Sequence, residues 1–308
     1  MTRYLLTRLA QGVAVVLGAV AISFLLVNAV GNPVDALGTG AQLTERAHRE
    51  LIHQYGYDQP LPARFADYLS RLLRGDFGTS FRSEDSALAL VLRALPNTFL
   101  LILVSVVLAW LIAAPVAIRS VLKRDSRSDR VVRNGLVVIQ GVPDFWLALL
   151  LVIVFAVTLG WLPAIADGSP SAIVLPMCAI ALPLVSTFVR MLRSQLLEVM
   201  TSDFVIAMSV RGLSMRKIVL RHVLPNALPP IVTFMALQLG WLLGGTLIVE
   251  TVFGWPGIGD LAVTATTQTD LPVVEAAIVL TAAAYVLCNL LADLLVVALD
   301  PRIRVAGR

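Results

Sequence analysis

Long uncharged apolar stretches alternate with short cationic ones along this chain. The apolar stretches are Leu9–Val30, Thr98–Ile118, Gly135–Leu159, Ala172–Val189, Pro230–Val249 and Val273–Leu299. A helix rising 1.5 Å per residue needs about 20 apolar residues to cross the hydrocarbon core of a bilayer. The pattern therefore predicts six membrane spans. The fourth is short and interrupted by Pro176 and Pro183, so it reads as a broken span. The first could instead be a signal peptide, since MTRYLLTR is basic. Its apolar run of 22 residues exceeds the usual h-region, and no A-x-A site closes it before Asn32-Pro33, so it reads as an uncleaved anchor.

The cations set the orientation. Of 24 Lys and Arg, 17 fall in the N-terminal tail, the loop 119–133, the segment 190–221 and the C-terminal tail. The other seven lie in the long loop 31–95, and loops that long carry little weight in the positive-inside rule. The ends are expected inside. Composition agrees with lipid as the solvent: 58% of residues are hydrophobic and only 14% charged, well short of the roughly 25% of soluble domains. Disorder, collagen and a disulfide scaffold are excluded on the same numbers. Cys178 and Cys288 lie in apolar runs and read as buried small residues. The basic balance reports membrane orientation, and no nucleic-acid partner is expected.

The expected fold is all-α: a polytopic membrane protein with six transmembrane helices, ends inside, an external helical loop domain and a helical cytoplasmic loop. Its parts are 1–30 (tail and first span), 31–95 (external loop domain), 96–300 (membrane core of the remaining spans, with the inner loop 190–228) and 301–308 (inner tail). In the external loop, Thr44–Tyr55 and Pro62–Arg74 have helical apolar spacing, separated by a turn at Gly56–Pro60, and Gly75 can stop the second helix. That loop is either a cap over helix ends or a docking surface.

The inner segment 190–228 is longer than packing requires. Leu192, Leu196, Leu197, Met200, Phe204, Val205 and Met208 follow helical spacing. Gly212 breaks the pattern, Leu213, Ile218 and Val219 resume it, and Leu224-Pro225-Asn226 closes it. Two short helices joined at a permissive glycine can act as a lever. They can equally rest as an amphipathic interfacial helix on anionic lipid.

Asp203-Phe204-Val205, Arg211-Gly212-Leu213-Ser214, Ile218 and Arg221–Pro229 together resemble the cytoplasmic signature of ABC-importer permeases of the dipeptide/oligopeptide/nickel family. Asn32–Asp35, Gly56–Pro62, Arg74–Arg82, Pro143–Trp146, Glu250–Gly259, Asn289–Asp293 and Asp300–Arg302 extend the resemblance over nearly the whole chain. The resemblance implies a pore-forming subunit that imports peptides across the bacterial cytoplasmic membrane. Its implied partners are a homologous second permease, two cytoplasmic ATPases and an extracytoplasmic substrate-binding lipoprotein. ATP and Mg would sit on the ATPases, with no cofactor on this chain. Asp203, Phe204, Val205, Ala207, Arg211, Gly212 and Leu213 would couple to the ATPase. Ile206 stands where many such importers carry glutamate.

The chain has no P-loop. Gly254, Gly257 and Gly259 follow a helix and surround Pro256, which reads as a turn. Gln140, Asp144, Gln238 and Glu250 are candidates for a polar path, with Glu250 alternatively pinning the turn 252–258. Asp293, four residues after Asn289, reads as interhelical glue or an interface residue. His48, His53 and His222 are scattered, so no metal site is expected. No nucleophile, base and acid converge, so no enzyme activity is expected. An ion-coupled secondary transporter is the alternative mechanism. Nickel chelates, glutathione and haem are the alternative cargoes.

Overall fold

The computed structural model describes residues 2–30 and 59–299. The expected helix Thr44–Tyr55, the motif Asn32–Asp35, most of the turn Gly56–Pro60 and the C-terminal motif Asp300–Arg302 lie outside the described residues. Among the described residues, structure is helical, with one isolated bridge between Thr79 and Ser86. Such a chain satisfies its backbone N–H and C=O groups within each segment, as hydrocarbon demands.

The helices are α1 (Thr2–Val30), α2 (Leu61–Leu73), α3 (Ala87–Leu122), α4 (Arg127–Gln140), α5 (Asp144–Leu151), α6 (Val174–Met200), α7 (Asp203–Val210), α8 (Met215–Ile218), α9 (Leu224–Gly245), α10 (Leu247–Phe253), α11 (Ile258–Thr267) and α12 (Leu271–Leu299). A π-helical turn, Val152–Thr158, extends α5, and another, Val219–Val223, joins α8 to α9. Five stretches are long and apolar enough to cross a membrane: Leu6–Ala29, Ala87–Leu122, Pro170–Met200, Met215–Gly245 and Leu271–Leu294. Counting each of two bent pairs as a span raises the total to seven.

Three sequence expectations change. The apolar run 135–159 is not one straight helix: α4 and the α5 segment meet at 102° across Gly141-Val142-Pro143. Pro143 removes a backbone donor and restricts Val142 before it, so the helix stops and restarts there. The run 172–189 is not broken. A 3₁₀ turn at Pro170–Ile173 leads into α6, which continues through Pro183 to Met200. Pro176 sits in the first turn, where its missing donor costs nothing. Pro183 is held in the most enclosed of these helices: 61% of the most apolar 18 residues of Pro170–Met200 are buried, against 28–33% in the other four. Cys178 and Cys288 are half-buried rather than fully enclosed.

The chain divides into two compact units. One contains Thr98–Trp255 and Leu287–Arg308. Here α6 is the hub, packing against α4, α5, α9 and α10. Phe188, buried on α6, meets Trp110 and Phe234 edge-on at centroid distances of 6.0 and 6.4 Å. A polar knot ties three elements. The buried Asp129 carboxylate accepts from the Ser120 hydroxyl, from the Asp125 N–H at 3.2 Å and from Arg193 Nη2 at 3.3 Å. Arg133 approaches it to 3.6 Å, and Arg193 Nε donates to Ser120 Oγ at 2.9 Å. Ser126 caps α4 by accepting from the Asp129 N–H at 3.1 Å.

The second unit contains Thr2–Asn97 and Pro256–Val286. The amphipathic α2 lays its apolar face on α1 and α12. Val20, Phe24, Tyr68 and Val279 form the centre, with Phe65, Leu69, Leu72 and Phe77 around them. Gly75, at φ +77°, ends the turn after α2. The run after it is anchored by Asp270. That carboxylate accepts from the Ser80 hydroxyl and, at 3.0 Å, from the Phe81 N–H, while Arg82 donates twice to the Gln268 carbonyl at 2.9 and 3.2 Å. Asn97 Nδ2 donates to the Pro256 carbonyl at 2.8 Å.

Burial pushes the Asp129 carboxyl up, but the Ser120 hydroxyl, the Asp125 N–H, Arg193 and Arg133 outweigh it and hold it below the ordinary range. The knot therefore contributes fully above the unfolded value of about 3.9 and fades as pH falls through the depressed one. Asp129→Ala leaves Arg193 without its carboxylate and is expected to cost about 3 kcal/mol. Thermal unfolding of the detergent-solubilised protein at neutral pH should show the loss, and an unshifted midpoint would refute the role given to the knot.

Candidate functional site

The inner elbow is built by two terminators. The long α6 ends at Met200, and Thr201 and Ser202 fold their hydroxyls back to the carbonyls of Glu198 and Val199 at 2.7 and 2.6 Å. Ser202 then turns extended and starts α7. Asp203 lies in the first turn, where its charge opposes the positive end of the helix dipole. At the other end, the Gly212 N–H donates to the Ser209 carbonyl at 3.0 Å and the Leu213 N–H to that of Met208 at 3.3 Å. This pair of bonds is a Schellman cap, and it places Gly212 at φ +80°. A Cβ built there meets nothing within 4 Å, so the glycine is required by its backbone conformation alone.

The short α7 has an inverted surface. Val205 is buried, but Ile206 is 55% exposed, Val210 82% and Phe204 38%. Asp203, Ala207 and Arg211 are exposed as well, and Leu213 is half-exposed. Thus six of the seven residues singled out by sequence stand at an accessible elbow, while Val205 anchors it.

The segment beyond Gly212 differs from the expectation of a separate short helix closed by Leu224-Pro225-Asn226. Starting at Met215, α8 runs without a break through the π turn into α9. The wider turn is marked by the Leu224 N–H donating to the Val219 carbonyl. Pro225 lies just after the π turn, inside this continuous rod. Ile218, Val219, Val223, Ala227 and Ile231 are all fully buried and follow four-residue spacing after Val219. This stripe sits on the side of the α8–α9 rod that packs against α6, whose Leu192 and Leu196 are fully buried too.

The proposed polar-path residues are not gathered into one cluster. Gln140 and Asp144 flank the 102° bend and are exposed. Gln238 is half-buried in α9. Glu250 is fully buried in α10, where Oε1 accepts from the Thr246 hydroxyl at 3.2 Å and its backbone carbonyl accepts from the Trp255 N–H at 2.8 Å. The latter bond, with Gly254 N–H to Thr251 O at 3.3 Å, caps α10 and puts Gly254 at φ +55°. Ile165 Cγ2 lies only 2.9 Å from where a Gly254 Cβ would be, so the turn is closed by the preceding loop. Sequence reasoning did not single out Asp129, Arg193, Ser120 or Asp270.

Long apolar helices joined by short capped turns define a multi-pass helical membrane protein. Residues 105–305 match the family described as the binding-protein-dependent transport system inner membrane component, and residues 1–102 match its N-terminal companion. The chain belongs to this family, and it is a multi-pass permease of the bacterial inner membrane. It is 30% identical over 314 residues to the oligopeptide transport system permease protein AppB of Bacillus subtilis (strain 168), covering 98% of this chain and 99% of that one. It is 34% identical over 304 residues to the glutathione transport system permease protein GsiC of Salmonella choleraesuis (strain SC-B67), covering 99% of both, and 32% identical over 306 residues to GsiC of Escherichia coli (strain K12). In fold it is similar to two inward-facing crystal forms of the MetNI methionine ABC transporter. Their TM-scores are 0.56 and 0.59 at 21% and 20% identity, covering 68% of this chain and 96% of each of those.

Gly212→Val is expected to strain the left-handed backbone by about 1–2 kcal/mol, whereas Gly212→Asn is expected to be nearly neutral because asparagine tolerates that region. Hydrogen exchange at the Gly212 and Leu213 amides should accelerate only in the valine variant. Equal disruption by both would show that side-chain space, and not φ, decides the position.

Proposed function

We propose that the chain is the pore-forming permease subunit of an ABC importer of peptide-class substrates, driven by ATP hydrolysis on separate subunits. The observation that carries this reading is the elbow: an eight-residue helix with exposed apolar side chains, held by one buried valine and continuous with a buried stripe. Apolar side chains on a cytoplasmic helix are stabilised when a partner covers them. A cytoplasmic ATPase that seats α7 in a groove would move it when its nucleotide sites close. The α8–α9 rod would carry that movement to α6, biasing a two-state bundle between inward and outward access.

In this reading the segment 144–158 makes a sixth, short crossing, which puts both ends inside. A second permease completes the path, and an external binding protein delivers cargo. Oligopeptide and glutathione permeases are both among its relatives. Glutathione is itself a tripeptide, so a peptide-class cargo unites them. The finer choice rests with the binding protein.

Ile206→Asp and Val210→Asp test the elbow, because both side chains are exposed, Val210 almost entirely, and neither belongs to the buried core. The solubilised chain should unfold at an unchanged temperature. Co-purification of the ATPase and binding-protein-stimulated hydrolysis should drop by about tenfold or more, the equivalent of 1.4 kcal/mol of interface energy. Full assembly and full stimulation in both variants would sink the coupling role. Uptake that survives ATP depletion but collapses with the proton gradient would favour an ion-coupled mechanism instead.

A further inference from the structure

A cavity of about 580 Å³ opens where α1, α2 and the start of α12 meet, within the second compact unit. That volume lies in the range of small-ligand sites. Nothing in the proposed coupling mechanism uses it. Its wall combines aromatic rings with charge. Phe24, Tyr68, Phe77 and Phe81 supply the rings, while Glu275, Asp67 and Asp76 face Arg64 and Arg71. Arg71 is already held by Asp67 at 3.1 Å, and Asp76 accepts from the Gly78 N–H at 2.9 Å. Glu275 is half-buried on the first turns of α12.

Two lining side chains carry buried polar atoms with no hydrogen-bond partner within 3.5 Å: the Tyr68 phenol oxygen, with Ser23 and Glu275 just beyond that reach, and Asn28 Oδ1. Such atoms are uncommon in folded proteins, and each costs about 1–3 kcal/mol when left unsatisfied. Tyr68 is only 6% exposed. Its ring stacks on Phe24 at a centroid distance of 5.6 Å, so packing fixes it. The Ser23 hydroxyl beside it donates to the Val20 carbonyl at 3.0 Å, so toward the phenol it can only accept. Asn28 uses its amide nitrogen to donate to the Phe24 carbonyl at 2.7 Å, which leaves the oxygen as an acceptor. Burial pushes the Tyr68 phenol above its ordinary range, so the group is a neutral hydroxyl at physiological pH.

The unmet demand is therefore for a donor. Asn28 Oδ1 and the Glu275 carboxylate accept, and the Tyr68 hydroxyl accepts or donates. Aromatic faces beside them favour a cation over an anion. We propose that this cavity binds a primary ammonium group, with Glu275 supplying the charge, Asn28 and Tyr68 the hydrogen bonds, and the phenylalanines the packing for the body that carries it. Two sources offer that chemistry. One is the N-terminal ammonium of a small peptide; the other is the ethanolamine headgroup of a phospholipid.

The test uses the purified full-length chain in nanodiscs, without ATPase or binding protein, so its outcome is independent of the elbow. In the first arm, labelled Ala-Phe and N-acetyl-Ala-Phe are compared by equilibrium dialysis in phosphatidylcholine discs. In the second, native mass spectrometry compares retained phosphatidylethanolamine with phosphatidylcholine from mixed discs. The primary ammonium should be preferred by about tenfold or more in one arm, the equivalent of 1.4 kcal/mol, and the arm that shows it identifies the source. Glu275→Gln should remove the preference. Tyr68→Phe, which keeps the ring on Phe24, should weaken it several-fold with an unchanged unfolding temperature, and it stands in if the glutamine variant does not fold. The proposal is overturned by no preference in either arm, or by a preference that both variants leave intact.

Discussion

Hydrocarbon offers the backbone no hydrogen-bond partners, and that constraint organises this protein more than any single side-chain contact. Where a helix stops within the membrane, its last carbonyls and first amides must find partners locally, and the same devices recur at the ends that reach water. The chain meets the demand with a small set of devices. Left-handed glycines close α7 and α10 with paired bonds. Serine and threonine hydroxyls turn back onto carbonyls at the end of α6. Buried carboxylates take up loop amides at Asp129 and Asp270. Each break is thus a built feature with its own chemistry, and the elbow is one of a series.

That view explains why the elbow suits a moving contact. Its cap fixes the angle at Gly212, while a single buried side chain, Val205, secures α7. The stripe from Ile218 to Ile231 joins the far side of the elbow to the hub helix without a hinge. A push on α7 therefore has little internal structure to deform before it reaches α6. The inner polar knot sits near the same end of α6, through Arg193, and binds it to α3 and α4.

Much of this was legible in the sequence, and what was missed has two causes. Apolar run length located the long helices, and Gly212 announced its own turn. The spacing of Leu192, Leu196 and Ile218 reported the buried faces correctly. Run length failed at 135–159 because hydropathy averages over Gly141-Val142-Pro143, where a local backbone restriction outweighs composition. It failed in the opposite sense at Pro183 and Pro225, where the helical rods continue through residues that break exposed helices. The buried carboxylates were invisible for a different reason. Ser80 and Asp270 are 190 positions apart, and no one-dimensional spacing relates them. Tyr68 and Glu275 share that property.

The π turn at Val219–Val223 has a geometric consequence of its own. It holds one surplus residue within an otherwise regular rod, with its amides still bonded. Shifting that surplus by a turn swivels the intervening residues by about 100° around the axis, the angle one residue subtends in a regular helix. The register of the rod's two ends is thus set by where that surplus residue sits, with the chain hydrogen-bonded throughout the turn.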